Sequence, residues 1–200
     1  MEVNLPHRSP PVAAMGRPAS DWNPEQIWDE FRNGSELAFT ALYKMYVADL
    51  YHYGERLTDD KQLIEDSIHD LFVELWRQRS RYKPVQRLKF YLLKSFRNRL
   101  MKNLRRNGRI AQKNSGDQYD IELLINPAAL NSESDAPAEE LPGLQKGIDG
   151  LSPREKQAIV LRFYDGLTYE EIAELMTIST RSVYKLMYRA LGSLKEALRV

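Results

Sequence analysis

The sequence predicts an all-α fold of two small helical domains joined by a flexible acidic linker, the second domain being a helix-turn-helix. Apolar residues recur at helical spacing through most of residues 22–110. Residues 111–147 are rich in Ser, Asp, Asn, Pro and Gly, and they are too long for an ordinary loop inside one compact domain. Residues 148–200 then contain two helix-start signals, a three-residue turn and a longer helical pattern.

The net charge of +1 is the sum of opposed blocks along the chain. Residues 21–76 carry 13 acids and 4 bases, whereas residues 77–113 carry 14 bases and no acid. Residues 114–150 are acidic again, with 8 acids and 1 base. Separate blocks of opposite charge predict two partners of opposite character, and the basic block predicts a polyanion.

Composition narrows the class of protein. The hydrophobic fraction of 42% is enough for a packed core, and no apolar run approaches the length of a membrane span. No basic start followed by an apolar stretch suggests a secretory signal, so we expect a cytoplasmic protein without membrane insertion. The absence of cysteine excludes disulfides and cysteine-based metal sites. The proline-rich residues 1–21 are predicted to be a disordered arm.

The most informative stretch is a basic helix predicted over Leu88–Arg109. Its apolar residues gather on one side, and an opposite face holds Tyr91, Lys94, Asn98, Lys102, Arg105 and Arg109. A solvated helix would mix both signs of charge, and this segment contains no acid. Lys and Arg suit phosphates, Asn can read a base edge, and Tyr can stack on a base. The alternative is a merely soluble basic helix.

The segments before that helix add two features. Residues 77–87 are predicted to be a basic loop broken by Pro84, with Tyr82 among the cations. A helix opening at Thr58–Asp60 presents an acidic face made of Glu65, Asp66, His69, Asp70 and Glu74. Such a face is often only solvated, and no second cluster completes a metal or acid–base site, so no catalytic or metal-binding residue is predicted. The helix starting at Ser35 is expected to bury Leu37, Phe39, Leu42, Tyr43, Tyr46, Leu50 and Tyr53.

The C-terminal segment has the pattern of a helix-turn-helix. Ser152–Glu155 and Thr168–Glu171 are capping boxes, and Met176–Ile178 form the predicted turn. The first helix is expected to carry Ala158, Ile159, Leu161 and Phe163, and the last one to turn Val183, Leu186 or Met187, Ala190, Leu191 and Leu194 inward. The last helix leaves outside Thr180, Arg181, Ser182, Tyr184, Lys185 and Arg189, where recognition helices contact bases. The alternative is a generic three-helix packing unit.

These motifs resemble, in order, those of the extracytoplasmic-function group of sigma factors in the sigma-70 family. Residues 64–72, IEDSIHDLF, ending at Trp76, resemble the helix by which such factors grip RNA polymerase. Residues 90–93, FYLL, with Phe96–Asn98 and Arg105–Arg106, resemble the segment that melts and reads the minus-ten element. Residues 151–191 resemble the minus-thirty-five reader.

The resemblance implies the function and the division of the chain. Residues 22–110 would be sigma region 2 and residues 148–200 sigma region 4, with the linker directed toward the polymerase cleft. Polymerase would be bound by the acidic face named above. The minus-ten element would be bound by Tyr82, Tyr91, Lys94, Arg97, Asn98, Lys102, Arg105 and Arg106. The partners implied are core RNA polymerase, promoter DNA and an anti-sigma factor, with no cofactor and no catalysis by the chain itself.

Two other classes of protein compete with this interpretation. A stand-alone helix-turn-helix regulator would carry an N-terminal sensor or dimerisation domain, which has no reason to hold paired acidic and basic faces. A metal-dependent nuclease would need a clustered set of carboxylates or histidines, which the sequence does not offer.

Overall fold

A computed structural model describes residues 23–107 and 147–198 of the chain. The expectations for the N-terminal arm, the linker and Arg109 lie outside these residues. All regular structure in the two ranges is helical, as predicted. The α-helices are α1 (Pro24–Arg32), α2 (Glu36–Glu55), α3 (Lys61–Gln78), α4 (Leu88–Arg106), α5 (Pro153–Ile159), α6 (Tyr169–Met176) and α7 (Thr180–Ala197). None of these helices is long and apolar enough to cross a membrane.

The helix starts lie where the capping signals predicted them. Ser152 and Thr168 each form a complete capping box at the start of α5 and α6. Ser179 caps α7 by accepting the backbone N–H of Ser182. Between α6 and α7, Thr177 adopts the left-handed conformation, with φ of 56°, that a glycine commonly takes after a helix. The helix-turn-helix is therefore confirmed, with threonine in place of the usual glycine.

Helices α1 to α4 enclose a core of aliphatic and aromatic side chains. Its largest fully buried members include Trp28, Phe31, Tyr53 and Phe96. Gly54 lets α2 approach α3 and α4 closely, because a Cβ at this position would lie 2.8 Å from Ile64 Cγ2 and 3.1 Å from Phe96 Cζ. This packing fixes the position of α4 and hence of its polar face.

Two residues of α2 and two of the C-terminal helices do not lie inside as predicted. Leu37 and Tyr43 are 71% and 41% exposed, because the buried residues of α2 recur every four positions from Ala38 and these two fall beside that row. The chain from Val160 to Tyr164 is π-helical, and this wider turn places Phe163 outside with 66% exposure. Leu191 is 45% exposed, since it follows the buried Ala190 by one residue, or about 100° around the helix.

The predicted basic loop is shorter than expected. Helix α3 continues to Gln78, and Arg79–Arg81 form a single 3-10 turn. Pro84 disfavours helix only at the residue before it, so the preceding arginines remain helical.

Candidate nucleic-acid interface

An aromatic cluster fixes the loop that leads into α4. The ring of Trp28 lies 5.7 Å from that of Tyr82 and 5.6 Å from that of Tyr91, between ring centroids. The indole N–H of Trp28 donates to the carbonyl of Lys83 at 3.0 Å, and Arg32 Nε donates to that of Tyr82 at 2.6 Å. Both tyrosines are half-buried, so they offer only part of their surface to a base.

Burial also raises the pKa values of these tyrosines. Loss of solvent, together with the neighbouring Tyr91, raises the pKa of Tyr82 to about 12. Burial likewise raises the pKa of Tyr91. A phenol with the ordinary pKa of about 10 is already neutral at physiological pH, and the upward shifts keep both tyrosines neutral at still higher pH, so neither repels a phosphate.

The C-terminal half of the polar face of α4 is accessible to solvent. Asn98, Lys102 and Arg106 are exposed, and Arg105 is half-buried. Asn98 lies one helical turn before Lys102 and two before Arg106, so a single amide is followed by cations along the helix. The structure thus brings together these four residues of the predicted minus-ten set on one accessible helix.

The first half of this face is covered by the C-terminal helices. Arg87 Nη2 lies 2.9 Å from Glu171 Oε2, and Lys94 pairs with Glu174. Arg97 is only 6% exposed and donates from Nη2 to Thr177 Oγ1 at 3.0 Å. The α4 segment itself contains no acid, and the carboxylates that pair with its cations in this half belong to α6, some 80 residues later in the chain.

A buried carboxylate joins the two parts of the chain. The side chain of Asp165, 1% exposed, accepts from Arg56 Nη2 at 3.1 Å and lies 3.2 Å from Lys89 Nζ. Lys89 also lies 2.9 Å from Asp49. Burial alone would lower the pKa of Lys89, but the hydrogen bonds and charges of Asp49 and Asp165 outweigh it and raise the pKa.

Sequence reasoning did not identify this cluster. Asp165 directly precedes Gly166, and in the sequence this pair indicates only the end of a helix. No local pattern signals a partner 109 residues away.

The predicted polymerase-binding residues share one face of α3. Glu65, Asp66, His69, Asp70 and Glu74 are all exposed. Glu74 is the one most engaged by neighbours, since its carboxylate accepts from Arg99 and from Gln78, each at 2.7 Å. The hydrogen bond from Arg99 is the main cause of a lowered pKa at Glu74. Asp70 Oδ2 lies 4.0 Å from Nη1 of the same arginine.

The outer face of α7 is accessible. Arg181, Tyr184, Lys185 and Arg189 are exposed, while Thr180 and Ser182 are half-buried beside the N-cap. Tyr184 packs edge-on against Tyr169, with ring centroids 4.6 Å apart. The Arg162 guanidinium lies 5.1 Å from the centroid of the Tyr169 ring. Tyr169 therefore supports Tyr184 from α6, a role that its place at the first residue of a capped helix did not reveal.

Across residues 23–107 and 147–198, no three His, Asp or Glu side chains come together as a metal site would require. The described surfaces are instead a cationic helix beside an acidic one, and a helix-turn-helix with an exposed polar face. This combination defines a two-part DNA-binding protein.

Comparison with known proteins identifies the family of the chain. The family description "Sigma-70 region 2" matches residues 42–110, and "Sigma-70, region 4" matches residues 143–194. The ECF RNA polymerase sigma factor SigK of Mycobacterium ulcerans is 23% identical over 84% of this chain and 90% of its own. The RNA polymerase sigma factor CarQ of Myxococcus xanthus is 26% identical over 85% of this chain and 94% of its own.

A solved structure has the same fold. The sigma factor RpoE of Bartonella quintana, in complex with the anti-sigma factor NepR, superposes with a TM-score of 0.50 at 22% identity, over 81% of this chain and 97% of that one. The chain belongs to the extracytoplasmic-function group of the sigma-70 family. It is an alternative sigma factor that directs transcription initiation.

Proposed function

We propose that the surfaces of α3, α4 and α7 each bind a different partner of a sigma factor. The acidic face of α3 binds core RNA polymerase. The polar face of α4, with Tyr82 and Tyr91, binds the nontemplate strand of the minus-ten element, and α7 reads the minus-thirty-five element. The observation that carries this proposal is that the acidic face of α3 and the cationic helix α4 lie side by side, in contact through the Arg99–Glu74 hydrogen bond of 2.7 Å.

Within α4, different side chains have different tasks. Lys102, Arg105 and Arg106 attract phosphates, whereas a small neutral amide at Asn98 is suited to hydrogen-bonding a base that has left the duplex. Lys94 and Arg97 join them on DNA only after the C-terminal helices move away, because both are engaged by α6 or by the turn after it.

On α7 the early polar side chains contact DNA. Arg181 and Lys185 are exposed one turn apart, and helix-turn-helix proteins contact base edges from this part of the recognition helix. Thr180, Ser182, Tyr184 and Arg189 flank them and contact the backbone or adjacent bases.

The chain acts in the cytoplasm as a subunit and not as an enzyme, since the polymerase forms the RNA. Residues 22–110 function as region 2 and residues 148–200 as region 4. An anti-sigma factor holds it inactive, by analogy with the Bartonella complex in which RpoE is bound to NepR.

Transcription in vitro with purified core polymerase tests the function. Core enzyme with this chain should start transcripts at discrete sites on genomic DNA of the source organism, and core enzyme alone should not. A chain that binds duplex DNA without binding core would instead be a stand-alone regulator, and the proposal would fail.

A further inference from the structure

We infer that Tyr184 determines sequence specificity on the recognition helix by contacting the methyl group of one thymine in the major groove, and that Tyr169 positions it. This inference rests on the function proposed for α7. Tyr184 lies one helical turn after Arg181 and one turn before Tyr188. Side chains in this part of a recognition helix are directed toward base edges.

Helix α6 supports the ring of Tyr184 from one side. The rings of Tyr169 and Tyr184 meet edge to face, with centroids 4.6 Å apart and planes inclined at 71°. This arrangement is favourable because the positive edge of one ring meets the negative face of the other. Tyr184 is nevertheless 53% exposed, so much of its surface stays accessible to a ligand. The contact therefore restricts the side chain and still leaves room for a base.

Tyr169 is itself held in place from two directions. It is the first residue of α6, directly after Thr168, which forms a complete capping box. The Arg162 guanidinium lies 5.1 Å from the centroid of the Tyr169 ring, and Nη1 of this arginine donates to the carbonyl of Leu167 at 2.8 Å. Arg162, Tyr169 and Tyr184 thus form a continuous series of contacts that ends on the recognition helix. Because the last ring is positioned before DNA arrives, it loses little conformational freedom on binding.

The chemistry of this position favours a methyl group over a phosphate. Arg181, Lys185 and Arg189 are exposed around it and supply the positive charge that phosphates attract. The ring of Tyr184 is apolar, and the methyl group of thymine is the apolar feature that a base pair presents in the major groove. The ligand is therefore one thymine of the minus-thirty-five element, on either strand.

Tyr188 is the matched comparison for Tyr184, because it is the same residue one turn later on the same helix. Tyr188 is 83% exposed, so few contacts hold its ring in the free protein. A ring without support loses more conformational entropy when it is fixed against DNA. The methyl contact is accordingly assigned to the supported tyrosine.

The main experiment replaces thymine by uracil, which removes only the methyl group and keeps the base-pairing groups. Core polymerase carrying this chain is bound to a duplex promoter at which it starts transcripts, with uracil placed at each thymine of the minus-thirty-five element in turn. For the parent, uracil at one position should weaken binding about three- to five-fold, as expected for the loss of one buried methyl group. If uracil has no effect at any position, the inference is overturned.

Three variants assign that loss to a side chain. Tyr184→Ala should bind the thymine and the uracil promoter equally, whereas Tyr184→Phe and Tyr188→Ala should still prefer thymine at the same position. A preference for thymine that persists in Tyr184→Ala and disappears in Tyr188→Ala would overturn the assignment. A uniform loss for Tyr184→Phe on both promoters, without a change in the uracil effect of Tyr184→Ala, would place the hydroxyl on a phosphate and also overturn it.

The positioning role of Tyr169 has a readout that general destabilisation would not move. In Tyr169→Ala the ring of Tyr184 is present without its support, so the preference for thymine over uracil should decrease. Tyr169→Phe keeps the ring contact and should retain the preference. Weaker binding of Tyr169→Ala to both promoters, with the full preference of the parent, would refute the positioning role.

A promoter with a scrambled minus-thirty-five element separates failure of this inference from failure of the proposed function. If the polymerase carrying this chain binds the scrambled promoter as tightly as the natural one, α7 does not read this element and the proposed function is wrong. If the scrambled promoter is bound more weakly while uracil has no effect, only the thymine contact of Tyr184 is refuted.

Discussion

Arg99 Nη2 lies 2.7 Å from Glu74 Oε2, and this contact joins the cationic helix α4 to the acidic helix α3. One consequence is that part of the negative charge of Glu74 is already compensated inside the chain. Asp66 and Asp70, one turn apart on the same face, then remain the principal charges that α3 can offer to a partner.

The first prediction concerns polymerase. Asp66→Lys/Asp70→Lys should weaken binding to core RNA polymerase at least several-fold, because charge reversal across complementary surfaces reduces both affinity and association rate. The measurement is competition for labelled core enzyme at low salt. Glu25→Lys/Glu36→Lys, with the same change of charge on exposed residues of α1 and α2, should bind like the parent. Unchanged binding by the α3 variant would remove this helix from the interface.

The pH dependence of the Arg99–Glu74 contact gives a second prediction. The pKa of Glu74 is lowered in the folded protein, so its contribution to the free energy of unfolding is present above the ordinary pKa and is lost as pH falls through the lowered one. Because both side chains are partly exposed, we expect the contribution to be less than about 1 kcal/mol. Urea unfolding measures the free energy of unfolding at about pH 6 and at about pH 3. Between these two pH values, the free energy of unfolding should decrease less for Glu74→Gln than for the parent. An identical decrease would show that the hydrogen bond contributes nothing.

Close packing of α2 gives a third prediction. Gly54→Ala should lower the free energy of unfolding by about 1–3 kcal/mol, because the added methyl meets Ile64 at 2.8 Å in a filled core. Gly192→Ala in α7 meets nothing within 4 Å and should be neutral or stabilising by up to about 1 kcal/mol. The measurement is thermal unfolding of both variants, which compares their stabilities with that of the parent. If Gly54→Ala were as stable as Gly192→Ala, the contact of α2 with α3 and α4 would be looser than described.

The fold could be predicted largely because its signals are local. Capping residues such as Ser152 and Thr168 act within one turn, so helix starts follow from three or four letters of sequence. Which side chains of a helix are buried is harder to predict where the helical period changes. The π-helical turn that exposes Phe163 has no signal in a pattern of 3.6 residues.

The DNA-binding surface was predictable in composition but not in accessibility. Lys102 and Asn98 are exposed on α4 as their spacing indicates. The burial of Arg97 depends on Thr177, and the loss of free charge at Lys94 depends on Glu174. Such pairs join distant parts of the chain, and a single sequence does not indicate which acidic side chain pairs with which basic one.

A fourth prediction addresses sequence reading on α7. Arg181→Ala should cost about 1–3 kcal/mol of promoter binding if Arg181 makes a bidentate contact with one base. Binding to promoters with single substitutions in the minus-thirty-five element would then lose discrimination at one position. A uniform loss with a smaller salt dependence would assign Arg181 to a phosphate. An unaltered affinity at every position and salt concentration would exclude α7 as the reader.

The polar face of α4 gives the last prediction. Asn98→Ala should leave polymerase binding and closed-promoter binding intact while impairing strand opening, because only an extruded base needs the amide. Arg105→Ala should weaken all DNA binding and reduce its salt dependence by about one phosphate contact. Lys44→Ala, at an exposed lysine of α2 away from α4, is the control for loss of one positive charge.

Permanganate footprinting of a duplex promoter is the most direct test of the central claim, that α4 opens and holds the minus-ten element. The promoter is one at which transcripts start when core polymerase and this chain act on genomic DNA. The parent and Lys44→Ala should make thymines of the minus-ten element reactive, and Asn98→Ala should leave most of them protected while transcribing normally from a template already melted there. Equal loss on both templates would assign Asn98 to reading the base after melting. Normal reactivity and a full transcription rate with Asn98→Ala would contradict the account of α4.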